Sequence, residues 1–166
     1  MALGLLTVHF LGLAVFAGAS FGVFGSDELA AHIWAGLISV MLVVFAHTMS
    51  YFYLVAMTSV IRKALAGESG PAVLVDDPRG AALFAKSRAL RSRTTPWALA
   101  GMGAPMVAFI LGGGAHTRAF PPIVHAGAAW IVLAGCVAAA AVVGLALLRQ
   151  NRIVEAFQLA AAETRP

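Results

Sequence analysis

Four stretches of this chain are apolar for long enough to cross a bilayer, and none of them contains a carboxylate or a lysine. They cover residues 3–24, 30–61, 96–111 and 121–148. A hydrocarbon core about 30 Å thick is crossed by roughly 20 apolar residues in helical form, the helix being one of few structures that satisfies its own backbone polar groups in lipid. The pattern therefore predicts an all-α fold, an integral membrane four-helix bundle, with residues 1–166 forming a single transmembrane domain. The second stretch is too long for an upright helix and is expected to tilt or to project beyond the membrane. Pro105 is expected to kink the third, Gly112-Gly113-Gly114 to end it, and Pro121-Pro122 to open the fourth.

Composition agrees with this reading. Of 166 residues, 61% are hydrophobic and only 11% charged, and the mean hydropathy of +0.90 is that of membrane proteins and not of soluble domains. The net charge of +4 comes from clustered arginines and lysines, a pattern that sets topology and touches lipid headgroups, so no nucleic-acid partner is expected. A single cysteine, Cys136, excludes an intramolecular disulfide and a multi-thiolate zinc site. Ala17-Gly18-Ala19 has the small residues of a signal cleavage site, but no lysine or arginine precedes the apolar run, so a membrane span is expected there.

Arg62, Lys63, Arg79, Lys86, Arg88, Arg91 and Arg93 all fall in the connection 62–95, whereas the other two connections hold only Asp27, Glu28 and Arg118 as charged groups. The positive-inside rule then puts both termini and the basic connection on the cytoplasmic side, and the expected setting is a bacterial inner membrane. Within that connection Asp77-Pro78 reads as a cap and first turn, and Leu83, Phe84 and Leu90 among basic residues predict a short helix near the lipid surface. Small residues recur at Ala14, Gly18 and Gly22 in the first stretch and at Gly127, Gly135 and Gly144 in the fourth. Such rows let helices approach closely inside the bundle, or against a neighbouring subunit or second copy.

Four of the five histidines lie in these stretches or at their mouths. An ionisable side chain at that depth is costly unless it is used, so function is sought there. In the second stretch His32, Gly36, Ser39, Val43, His47 and Ser50 share one narrow stripe, with the two histidines roughly 22 Å apart along the axis. Antiparallel packing at about 1.5 Å per residue brings His9 and His47 to one depth. It brings His32 and His125 to the other, with His116 nearby. Gly12, Gly36 and Gly127 stand close in sequence to these histidines and are expected to leave room at each.

This arrangement resembles the di-haem four-helix membrane cytochromes of the b type, in which two helices each carry two ligand histidines about four turns apart. His32 and His47 match one such helix. The remaining ligands would be His9 and His125, on two different helices, which departs from the group's usual pattern. The resemblance implies haem b held by His9, His47, His32 and His125, electron transfer between a quinol and an outer acceptor, and membership of a respiratory-type complex. The absence of a Cys-x-x-Cys-His sequence excludes covalent haem attachment.

Two other readings stand beside it. His32, His116 and His125, with Asp27 or Glu28, could hold copper or zinc at the outer face, since imidazole suits both metals. Alternatively the chain is a cofactor-free accessory subunit whose histidines bond between helices. No catalytic residue is identified. The spans lack the acidic residues of proton relays, and the chain shows no inverted repeat, so transport is not expected.

Overall fold

The computed structural model describes residues 2–21, 29–68 and 77–163, and these are helical with no strand among them. The helices are α1 (Ala2–Ser20), α2 (Leu29–Leu65), α3 (Pro78–His116) and α4 (Pro122–Glu163). All four are long and apolar enough to cross a membrane. The end of the first expected span, with Gly22, Asp27 and Glu28, lies outside the described residues.

Two boundaries differ from the sequence expectation. No separate surface helix precedes a third span at residue 96, because α3 is continuous from Pro78 through Pro96 and Pro105. A proline inside an isolated helix costs about 3 kcal/mol, but α3 packs on both α2 and α4 along its length, and that burial outweighs the lost bonds. The three glycines do not end α3 either. It runs on to His116, and the chain reverses at Arg118 in the left-handed region (φ 61°). At the other end Asp77 caps α3 as its sequence implies, accepting the Arg79 backbone N–H at 2.8 Å. The Arg79 side chain beside it holds the Asp77 carboxyl below the usual carboxylate range and reaches Glu163 of α4 at 3.1 Å.

Successive helices run antiparallel and pack in order, α4 closing against α1 while α2 meets α4 across the centre. Two apolar layers form the core. One contains Leu5, Tyr53, Leu54, Ala98, Val143 and Leu147, the other Phe16, Val43, Ala108, Leu133 and Cys136. Exposed Phe10, Trp34, Met41, Ile110, Ile123 and Ile131 make the outer surface apolar as well, as contact with lipid requires. The glycine rows serve this packing only in part. In the α4 row a Cβ on Gly144 would stand 2.8 Å from Leu6 of α1, but Gly127 and Gly135 face open space; outside the rows, a Cβ on Gly12 would stand 3.2 Å from Val43 and Leu42, a close contact between α1 and α2.

Polar groups join the helices near the basic end. The buried Ser87 hydroxyl of α3 sits 2.8 Å from Thr58 Oγ1 of α2 and 3.1 Å from Gln150 Oε1 of α4, and the Tyr53 hydroxyl donates to Asn151 Oδ1. Removing the central member leaves Gln150 Oε1 without its partner in an apolar setting, while Thr58 keeps its bond to the Leu54 carbonyl. Ser87→Ala should therefore cost about 1–3 kcal/mol, read as a lowered thermal midpoint in detergent, whereas Met41→Leu on the outer face should change stability by less than about 0.5 kcal/mol.

Candidate functional site

The histidines expected to share a level lie side by side, but the two levels are built differently. At the inner level His9 of α1 and His47 of α2 are both buried, with ring centroids 4.6 Å apart and planes at 72°. Each ring bonds its own helix. His9 Nδ1 is 2.9 Å from the Leu5 carbonyl and His47 Nδ1 is 2.9 Å from the Val43 carbonyl. A carbonyl oxygen only accepts, so in both rings Nδ1 carries the proton and donates it, leaving the lone pair on Nε2. Both Nε2 atoms are buried without a partner.

Gly101 of α3 makes this level possible. A Cβ there would stand 2.3 Å from Cδ2 and Nε2 of His47, well inside contact distance, so α3 lies directly over the imidazole. Gly12 was expected to provide room beside His9, but it serves the contact between α1 and α2. The space at the inner level belongs to α3, which contributes no histidine to that level.

At the outer level His32 of α2 faces His125 of α4 across the bundle, with centroids 6.3 Å apart and planes at 87°. A cavity of about 370 Å³ opens beside them, walled by Phe16 and Ala19 of α1, Gly36 of α2, Phe109 and Gly112 of α3, and Ala129 of α4. Its volume falls within the roughly 300–1,000 Å³ of small-molecule and cofactor sites. Gly112 is again a space-maker, since a Cβ there would stand 2.9 Å from the His125 ring, while a Cβ on Gly114 would strike Phe120 at 2.3 Å. The glycine triplet thus accommodates aromatic rings instead of ending a helix. His125 Nδ1 is buried without a partner.

Ring separation distinguishes what each level can hold. Two imidazoles on opposite sides of one metal ion, each bound at about 2 Å, have centres about 6 Å apart. His32 and His125 stand at that spacing. His9 and His47 do not, for at 4.6 Å the rings touch each other and leave no gap for an iron with a macrocycle around it. Gly101 lets α3 close over the His47 ring at this level. His116 is exposed at the cavity rim. Among the described residues no three His, Cys, Asp or Glu side chains converge to hold a metal ion. Asp27 and Glu28 of the copper or zinc reading lie outside the described residues.

Sequence reasoning missed Gly101, Gly112, Phe16 and Phe109, none of which carries a chemical signal of its own. The role of Gly101 is measurable. Gly101→Ala should lower stability by about 1–3 kcal/mol through overpacking, and the same substitution in a His47→Ala background should cost much less. Equal losses in both backgrounds would mean that the ring is not what this glycine accommodates.

The chain matches no protein-family model, no curated protein and no solved structure.

Proposed function

We propose that this is a multi-pass protein of the bacterial inner membrane that holds one b-type haem between His32 and His125 and passes electrons, within a respiratory-type assembly, between a quinol and an outer acceptor. The observation that carries the reading is the 6.3 Å separation of two imidazoles from different helices beside a cavity. A haem bound there supplies one-electron redox chemistry. The chain's own residues do the rest. His32 and His125 would hold the haem, Gly112 leaves room for the His125 ring, and Phe16 and Phe109 wall the cavity. His9 and His47 hold α1 to α2 beneath it.

The proposed topology has both termini and the basic connection on the cytoplasmic side. Arg62 and Lys63 end α2, Arg88, Arg91 and Arg93 lie in the first half of α3, and Arg149 and Arg152 lie in the last part of α4, all at one end of the antiparallel bundle. Among the described residues Arg118 is the sole Lys or Arg at the other end. That asymmetry supports the orientation.

A second reading, a cofactor-free accessory subunit, is favoured by one observation: Gly127 and Gly135 present an open small-residue surface on α4 that suits a helix of another chain. Reduced-minus-oxidised absorption spectra of the purified protein, isolated and after loading with haem, separate the two. The first reading predicts a b-type band in the wild type and in His9→Ala, lost in His32→Ala and in His125→Ala. A wild type that takes up no haem, or a band unchanged in both outer variants, contradicts it.

A further inference from the structure

A second cleft lies far from the histidines, between α3 and α4 towards the basic end. It has a volume of about 450 Å³. Lys86 and Arg93 of α3 and Arg149 of α4 line it together with Leu90, Val142 and Leu145. The charges are of one sign, and no carboxylate is among the lining residues. Ion pairs among the described residues involve only Arg79, with Asp77 and Glu163, so none of the three cations in the cleft is paired with a described carboxylate.

The cleft combines cationic and apolar side chains near the end of the apolar run of α4. Arg149 directly follows the apolar run of α4, and Val142 lies seven residues back, about 10 Å deeper along the helix. On α3, Arg93 precedes Trp97, a half-exposed indole of the kind that sits at headgroup level. The Ser87–Gln150 contact sets Arg93 level with the stretch of α4 between Val142 and Leu145, so cationic and aliphatic side chains lie side by side where α4 leaves its apolar run. Three like charges around one cleft repel one another unless an anion lies among them. An anion with an apolar tail meets both kinds of side chain.

We propose that this cleft binds one anionic phospholipid, its phosphate held by Lys86, Arg93 and Arg149 and an acyl chain lying along Val142 and Leu145. Basic recesses between transmembrane helices on the cytoplasmic side suit acidic headgroups. The inference requires only that the helices cross a membrane and is independent of the haem reading.

The test is a thermal-shift titration of the full chain in neutral detergent with phosphatidylglycerol, phosphatidylcholine and inorganic phosphate. Wild type should show a saturable rise in thermal midpoint with phosphatidylglycerol alone. The Arg93→Gln/Arg149→Gln double variant should bind it about tenfold to thirtyfold more weakly, whereas Arg62→Gln/Lys63→Gln, which removes the same charge from the end of α2, should bind as wild type does. Should the double variant not be recovered folded, Arg149→Gln alone carries the test with a loss of about fivefold. Equal shifts with phosphatidylcholine, a full response to inorganic phosphate, undiminished binding by the cleft variants, or an equal loss in the α2 control would each overturn the proposal.

Discussion

An imidazole surrounded by hydrocarbon has one inexpensive place for its N–H, the carbonyl one turn back on its own helix. His9 and His47 both use it. That bond fixes the tautomer, sets the direction of the ring and leaves the second nitrogen bare. The rest of the inner level follows from it. Two rings held this way on adjacent helices meet edge to face, and the third helix must then pass over them without a side chain, which is what Gly101 provides. The polar stripe of α2 thus becomes an inner surface, with Ser39, His47 and Ser50 buried and Trp34, Met41, Phe45, Met49 and Phe52 turned outward.

Four turns away the same bundle remains open. The difference lies in the size of the side chains around the rings. Small residues let α3 close on His47, whereas at the outer level the bulky rings of Phe16 and Phe109 wall the space between α2 and α4. His32 and His125 reach towards one another across the bundle's diagonal instead of between neighbouring helices, so their separation is set by the bundle's width and not by ring contact. One level is a closed interhelical contact and the other has the dimensions of a site. This contrast is why the proposal keeps a single cofactor position in place of the two that the resemblance implies.

Much of this was legible in the sequence. Helix number followed from the length of the apolar runs, and the two depths from antiparallel order and a fixed rise per residue, quantities that depend on the backbone alone. Ring separation was not legible, because it depends on rotamers and on what a third helix places above each ring. The roles of the glycines were misassigned for the same reason. Gly12 lies near His9 in sequence but contacts α2, whereas Gly101 is remote in sequence and covers His47. Pro96 read as a helix start because local preference favours it there, yet packing of α3 between two neighbours carries the helix through it. The α3–α4 cleft was hidden because Arg93 and Arg149 are brought together only by the final helix pair.

The central claim is that one pair of imidazoles, and not two, is spaced to hold a cofactor. Titration of the apo-protein with haem, followed at the Soret band, tests it most directly. The account requires a sharp end point at one haem per chain with a low-spin, six-coordinate spectrum, and no such end point when His32 and His125 are both replaced by alanine. An end point at two haems, or a low-spin species that survives the loss of both outer histidines, would contradict it.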